Sequence, residues 1–297
     1  MSAQSLNTPL VLTRRRPRLA ELAFNFAIRA CVFFALGFLL ALLAFVVYKG
    51  WSRLDSRLWE GMPTARKSRI DTAGVQSAIL GTLWVVLTTA AIALPLGISA
   101  AIYLEEYADN RRWYNRILEL NIQNLAGVPS IVFGILGLGI IARAFGLGFS
   151  VITAAITLAL LVLPTVIIAS REAIRAVPSS IRHASLALGA SKWQTVWRQV
   201  LPAAVPGIAT GSILAVSRAI GEAAPLLMLG AVTLVLFNPD GFDSVYTTLP
   251  IQIFNLIKAP FDGFQELASA AIVLLLAILL AMNALAIFIR NRYAKKW

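Results

Sequence analysis

The sequence of 297 residues contains one cysteine and one histidine, and this scarcity excludes several kinds of site. A single cysteine, Cys31, cannot form an internal disulfide, and together with His183 it cannot build a cysteine–histidine zinc cluster. Because His183 is the only imidazole, we expect a polar surface position for it rather than a catalytic role. The sequence also lacks a Gly-x-x-x-x-Gly-Lys-Ser/Thr motif, which predicts that the chain does not itself hydrolyse ATP.

Charged residues are scarce as well, at 13% of the chain, whereas 59% of the residues are hydrophobic and the mean hydropathy is +0.78. Soluble domains do not have this composition. The sequence therefore predicts an all-α integral membrane protein with six transmembrane helices. A segment of about 20 apolar residues can cross a bilayer, and six such runs recur: Ala30–Tyr48, Thr72–Leu104, Leu120–Ala142, Ala144–Ser170, Gln199–Ser217 and Leu267–Ile289.

The first apolar run is expected to be a retained helix starting near Phe26, preceded by a basic cytoplasmic tail over residues 1–25. Polar sequence follows this run, and it lacks the small-residue cleavage pattern of a signal peptide. Residues 26–297 are then one transmembrane domain. No catalytic group is expected inside it, because no Ser/His pair, paired Asp or metal-ligand set lies within the runs.

The distribution of Lys and Arg predicts that both termini lie in the cytoplasm. With that orientation 17 basic residues lie inside and 8 outside, which is the expected bias. The bias is weakest at the first external loop, residues 49–76, where six basic residues lie. The net charge of +12 does not indicate nucleic-acid binding, because the charges lie at helix ends, next to the anionic cytoplasmic leaflet.

Local signals predict details of three connecting regions. The loop 49–76 is expected to be mostly exposed, with a short interfacial helix between Trp51 and Trp59. Pro129 and its neighbouring glycines allow a local break at the start of the third span. Residues 238–265 are expected to form an external loop; a partner-facing surface, a re-entrant plug and a simple loop all remain open for it.

The longest polar interruption, Arg171–Leu201, separates the fourth and fifth spans and carries five basic residues. Pro178 followed by two serines predicts a helix start, with serine as its cap. Gly189 predicts the stop of that helix, and Ser191 predicts the cap of a second one. The helix between them is small and apolar, so it can lie in a groove of another protein. An ordinary loop helix that packs on its own bundle is the alternative.

The fifth span, expected to begin at Pro202 and to bend at Pro206, has small residues at four-residue intervals. This pattern is typical of membrane helices that approach each other closely; its members are Gly207, Gly211, Ala215, Ala219 and Ala223. Arg218 and Glu222 are also four residues apart, so they share a helix face and can form an ion pair.

Charges at this depth cost several kcal/mol unless they are paired or hydrated, so the pair Arg218–Glu222 is expected to face the bundle interior or a water-filled pathway. An arginine presents a planar fork of donors that suits an oxyanion such as phosphate. Glu222 would orient the guanidinium and moderate its charge. Pro225 would break the helix and expose backbone donors at the same depth. A buried pair that only fixes packing is the alternative.

Two motifs carry a resemblance to a known family. The residues His183-Ala184-Ser185, then Gly189, then Leu201-Pro202, resemble the EAA loop of ABC-importer permeases, which runs Glu-Ala-Ala, three residues, Gly, nine residues and Ile-x-Leu-Pro. His183, Ser185 and Gln199 depart from that motif. The string from Arg218 to Leu226 resembles the Arg-x-x-Gly-Glu-Thr-Ala-Pro-Leu signature of phosphate-import permeases, with Ala223 in place of Thr.

The chain thus resembles the A-type permeases of bacterial phosphate-specific transport systems from about residue 20 to 295. The resemblance implies the type I, MetI-like importer fold, with a core at about 72–290 and a coupling loop at 171–201, in the bacterial inner membrane. It also implies that the coupling loop docks into the ATPase, and we expect Trp193 and Trp197 to anchor that loop to the bundle. The docking residues are then His183, Ala184, Ser185, Leu186, Ala187, Leu188, Gly189, Leu201 and Pro202.

The same resemblance implies the partners of the chain. These are a second, homologous permease, two ATPase subunits that hold ATP and Mg, and a periplasmic or lipid-anchored phosphate-binding protein. No cofactor or metal is expected in this chain. Two other functions remain open: a permease for sulfate, molybdate or tungstate, and a stand-alone channel or secondary carrier that uses Arg218 and Glu222.

Overall fold

The computed structural model describes residues 19–109, 111–230 and 234–293, and expectations about the other positions lie outside it. Within those ranges every regular element is helical, apart from one isolated bridge between Ser150 and Val245. The chain divides into two units, Met1–Tyr48 and Lys49–Trp297. Five helices are long and apolar enough to cross a membrane, and a sharply bent helix pair can provide a sixth span. The all-helical membrane fold is therefore confirmed.

The described part of the first unit belongs to helix α1 (Leu19–Gly50), whose last two residues are counted with the second unit. Its apolar side chains are exposed, as those of Phe33 and Phe34 illustrate. Residues 19–25 were predicted as part of the basic tail, but they already belong to this helix. The predictions for residues 1–18 lie outside the described part of the chain.

In the described part of the second unit, short elements come first, and four helices long enough to cross a membrane follow among shorter ones. A 3-10 turn (Trp51–Arg53) and α2 (Ser56–Glu60) match the helix expected in the first external loop, and a second 3-10 turn covers Lys67–Thr72. The other elements follow in chain order: α3 (Gln76–Ile102) with a π-helical end (Tyr103–Tyr107), α4 (Trp113–Ala126), α5 (Ser130–Leu136) with a π-helical end (Gly137–Ala144), α6 (Val151–Arg175), α7 (Ser179–Ala187), α8 (Lys192–Thr195), a π-helical stretch (Val196–Val200), α9 (Leu201–Gly221), α10 (Ala224–Met228), α11 (Leu249–Lys258) and α12 (Asp262–Tyr293).

The third predicted span is broken rather than straight. Helices α4 and α5 meet at an angle of 105° around Gly127–Pro129. The break follows from Pro129, since proline disfavours helical geometry at the residue before it and lacks a backbone donor. The apolar run Leu120–Ala142 therefore belongs to two helices, and the local break predicted at Pro129 is confirmed.

Two other boundaries differ from the prediction. The fifth span does not begin at Pro202, because α8, the π-helical stretch and α9 form one apolar helix from Lys192 to Gly221. Pro202 removes one backbone donor from this helix, but the helix continues through it directly after the irregular, π-helical stretch Val196–Val200. The region 238–265 is not a simple loop either, since it contains α11, whose residues Leu249, Ile251 and Leu256 are buried.

Helix α6 lies at the centre of the second unit because small residues let its neighbours approach closely. Gly97 of α3 leaves room for Val166, since an added Cβ would lie 2.6 Å from that side chain. Gly137, at the end of α5, is similarly close to Thr157. The apolar core around α6 is therefore built from short side chains at the crossing points.

Candidate functional site

The small-residue stripe of the fifth span is the surface on which α9 packs against α6. A Cβ at Gly207 would lie 2.7 Å from the Ala173 Cβ, and one at Gly211 would lie 2.4 Å from the Ala169 Cβ. Ala215 and Ala219 are buried on the same face. The predicted close approach is confirmed, and it fixes the rotation of α9 and hence the direction of its polar residues.

Arg218 and Glu222 form the predicted ion pair at the end of α9. The Arg218 Nε atom donates to the Glu222 Oε1 atom at 3.1 Å. The Arg218 side chain is 54% exposed, whereas the Glu222 side chain is 17% exposed. The two terminal amino groups of Arg218 have no hydrogen-bond partner among the described residues. The open half of the guanidinium is therefore available to a ligand.

Glu222 owes its position to the end of the helix. α9 ends at Gly221, and Glu222 follows with extended backbone angles of φ −78° and ψ 103°. Its side chain thus reaches back one turn toward Arg218, and its carboxylate also offsets part of the arginine charge.

Pro225 lies in the next short helix, α10, after the break that the sequence predicted near this point. The proline is buried, and a Cβ on Gly134 of α5 would lie 2.7 Å from its Cα atom. Pro225 therefore packs against α5 in this structure. Its contribution of backbone donors to a substrate pathway stays a prediction.

Polar residues of α12 extend the Arg218 region along α9. Asn283 accepts a short hydrogen bond from Ser217, the neighbour of Arg218. Arg290 donates to the hydroxyl of Thr210 at 2.9 Å. The sequence reasoning did not single out these residues. A lone asparagine in an otherwise apolar span was the available signal for Asn283.

The second candidate site is α7 with the turn that follows it. Gly189 has a φ of +81°, which favours glycine, so the predicted helix stop is confirmed. Ser191 caps the next helix reciprocally with Gln194, as predicted. The predicted serine cap of α7 is wrong, because Pro178 precedes the helix and no side chain caps it.

The apolar residues of α7 are exposed rather than packed on the bundle. Leu188 is 89% exposed, Leu186 is 47% exposed, and His183, Ala184, Ala187 and Gly189 are also exposed. A groove of about 610 Å³ runs beside them toward Arg198. Ser185 is half-buried, and its hydroxyl lies 2.9 Å from that of Thr195. These exposed apolar side chains do not fit a helix that only packs on its own bundle.

Two residues of the predicted docking set, Leu201 and Pro202, lie outside α7, in the first turn of α9. Leu201 is half-buried and packs against the core between α6 and α9. Trp193 and Trp197, the predicted anchors, stack on each other at 5.1 Å and remain 60% and 49% exposed. Their anchoring of the loop to the bundle stays a prediction.

Ion pairs of two arginines connect the start of the loop to the bundle. Arg171 lies 3.0 Å from Glu119 and 3.5 Å from Glu105, with its side chain 10% exposed. Arg175 donates to both Glu105 oxygens at 3.0 Å. Sequence patterns do not join Glu105 to these arginines, because the partners lie far apart in the chain, with 70 positions separating Arg175 from Glu105.

The comparisons with known proteins agree with this architecture. The family model of the binding-protein-dependent transport system inner membrane component matches residues 93–296. The chain belongs to this family. It is also 33% identical to phosphate transport system permease protein PstA 1 of Mycobacterium tuberculosis, over 94% of this chain and 92% of that protein. The PstA protein of Yersinia pestis is 34% identical, over 90% of this chain and 88% of that protein.

A solved structure supports the fold independently. The permease resembles a chain in inward-facing structures of the MetNI methionine ABC transporter, with a TM-score of 0.61 and 16% identity. The match covers 73% of this chain and 95% of that one. The MetI-like importer fold expected from the sequence is therefore confirmed. Membership of the family makes the permease a multi-pass protein of the inner membrane. The family also implies a separate binding protein and an ATPase as partners.

Proposed function

We propose that this permease forms one half of the pathway through which inorganic phosphate is imported, driven by ATP hydrolysis on separate subunits. The observation that carries the proposal is the half-exposed Arg218, whose free donors lie beside Glu222 at the end of α9. Guanidinium groups bind phosphate through two parallel hydrogen bonds, and this geometry is available only while part of the fork is free. The names of the similar PstA proteins support phosphate as the anion.

The role of Glu222 follows from the need to release what has been bound. An isolated arginine at membrane depth would hold a phosphate anion strongly, because the low dielectric strengthens their attraction. The Glu222 carboxylate occupies the Nε edge of the guanidinium and repels a second negative charge. The pair therefore recognises the anion and still lets it leave.

The energy for transport enters through α7 in this proposal. Its exposed leucines and the adjacent groove form a surface that an ATPase subunit can cover. Two such ATPase subunits hold ATP and Mg, a second, homologous permease completes the pathway, and a periplasmic or lipid-anchored phosphate-binding protein delivers the anion. ATP binding draws the docking helices together, and the cavity changes from inward-facing to outward-facing.

The experiment is phosphate uptake by the whole complex in proteoliposomes, with ATP inside or absent. We expect uptake that requires ATP and the binding protein and that excess sulfate, molybdate or tungstate does not reduce. Competition by one of those anions would make the complex a permease for another oxyanion. Uptake by this chain alone without ATP would show a channel or secondary carrier and contradict the proposal.

A further inference from the structure

Helix α7 needs an external support, because little in its own sequence holds it in place. It is nine residues long, none of its residues is buried, and no side chain caps its start. Isolated helices of fewer than about 12 residues are marginal in water. A contact outside the helix therefore has to set its position.

Arg182 supplies that contact by joining three elements at once. Its Nε and Nη2 atoms donate to the Glu106 Oε1 atom at 3.0 and 2.7 Å. Its Nη1 atom donates to the Val177 carbonyl at 2.6 Å, and Nη2 also donates to the Ile174 carbonyl at 2.9 Å. The arginine of α7 thus binds the end of α3 and the end of α6 together.

Each of these contacts has a separate physical reason. Ile174 lies in the last turn of α6 and Val177 lies two residues beyond its end, where the negative end of the helix dipole makes a guanidinium stabilising. Glu106 is 9% exposed and Arg182 is 22% exposed, so water screens their attraction only partly. No other type of side chain offers enough fixed donors to satisfy a carboxylate and two carbonyls together.

The short π-helical end of α3, Tyr103–Tyr107, is the common partner of the loop. Glu105 binds the arginines of α6, Glu106 binds Arg182 of α7, and the ring of Tyr107 lies 5.1 Å from the Lys192 ammonium at the start of α8. Three consecutive segments of the loop are therefore attached to one turn of α3.

We infer that Arg182 and Glu106 are positioning residues that form a rigid strut between the docking helix and the ends of α3 and α6. A displacement of α7 then moves α3 and α6 with it instead of bending the loop. The inference rests on the proposed docking of an ATPase at α7. If the strut is lost, we expect ATP hydrolysis to become uncoupled from transport while the ATPase still binds to the permease.

The test compares Arg182→Gln, Glu106→Gln and the double variant in the assembled complex, with Arg116→Gln as the matched control. Arg116 is an exposed arginine of α4, and its side chain makes no hydrogen bond among the described residues. In both single variants we expect the amount of phosphate transported per ATP hydrolysed to fall by about fivefold or more. A factor of about five is the lower end of the coupling that is typical between two sites of a protein. The double variant should lose no more than either single one, and Arg182→Lys should restore part of the ratio.

A second measurement does not depend on transport. Spin labels at Ser180→Cys and Asp109→Cys, in a Cys31→Ser background, report the distance between α7 and the segment after α3, and Ser180 is an exposed residue of α7 outside the docking set. In the otherwise wild-type complex we expect a narrow distribution of distances between the two labels, and this distribution should not change when ATP is added. In the Arg182→Gln variant we expect a broad distribution. An unchanged distribution in that variant, an unchanged transport ratio, or additive losses in the double variant would each overturn the strut.

The two measurements separate this inference from the proposed function. If the wild-type complex fails to import phosphate or to retain the ATPase, the proposed function is wrong. The label distances then still decide whether Arg182 fixes α7 to α3.

Discussion

The permease has two arginine sites that differ in how many of their donors are already used. Arg218 donates one hydrogen bond, from its Nε atom to Glu222, and its terminal amino groups have no partner among the described residues. Its side chain is 54% exposed. Arg182 donates hydrogen bonds to Glu106 and to the carbonyls of Val177 and Ile174, and its side chain is 22% exposed. Under the two proposals, the same type of side chain binds a ligand at one site and fixes a helix in place at the other.

The difference indicates how to distinguish a ligand site from a structural ion pair in a membrane protein. Both sites have a carboxylate partner, so pairing alone does not separate them. The deciding property is the number of donors left over, since a guanidinium has five and a single carboxylate cannot satisfy them all. The following predictions test whether that property controls the effect of a mutation.

The largest effect is expected for Arg218→Gln. Removing a charge-assisted contact worth about 1.5–3 kcal/mol should lower phosphate uptake by about 10- to 100-fold. Membrane levels and assembly should stay normal, since the arginine is half exposed. Uptake in proteoliposomes measures the effect, and Arg143→Gln, an exposed arginine near an external turn, is the control. Loss of assembly would show that the pair serves packing.

The next effect is expected for Arg171→Gln and concerns stability rather than uptake per molecule. Its side chain is 10% exposed, and its removal leaves Glu105, 16% exposed, without one of its partners. Breaking buried pairs costs about 3–5 kcal/mol, and the low end applies because Glu119 is one-third exposed. Thermal unfolding of the purified complex measures this.

Arg175→Gln is the matched control for that change, because it also removes a partner of Glu105. Arg175 is 60% exposed, so the expected cost is at most about 1 kcal/mol. Equal destabilisation by the two variants would contradict the role assigned to burial.

A smaller effect is expected for Gly211→Val, which tests whether packing aims Arg218. The added side chain would meet Ala169 of α6, and overpacking of this kind costs about 1–3 kcal/mol. Displacement of α9 should lower both the yield of complex and its phosphate uptake. Gly221→Ala in the same helix, where an added Cβ meets nothing within 4 Å, should leave the yield unchanged.

The smallest change in stability is expected for Glu222→Gln. An i,i+4 pair with an exposed arginine contributes about 0.3–0.5 kcal/mol, so the melting temperature should hardly move. Without the opposing carboxylate, the anion should bind more tightly and leave more slowly. Uptake kinetics should then show a lower KM and a lower maximal rate, and unchanged values of both would leave the carboxylate without a role in release.

Much of the candidate site follows from local sequence rules. The Arg218–Glu222 pair, the small-residue face of α9, the helix stop at Gly189 and the cap at Ser191 each depend on residues within a few positions of one another. Helical periodicity and glycine conformation decide such features, and both can be read from adjacent residues. The start of the helix formed by α8 and α9 was missed, and so was the buried helix α11. An apolar run in the sequence does not show where a helix begins or whether it is buried in the protein.

By itself, therefore, the sequence determined a helical membrane protein, its spans and the pairing of Arg218 with Glu222, because hydrophobicity and helix period act locally. Only the tertiary structure decided that Arg182 fastens α7 to α3 and that Pro225 packs against α5. Arg182 and Glu106 are 76 residues apart, and Gly134 lies still farther from Pro225 along the chain. No local rule brings such residues together, since the packing of α3 and α6 sets which charges meet and which donors remain free.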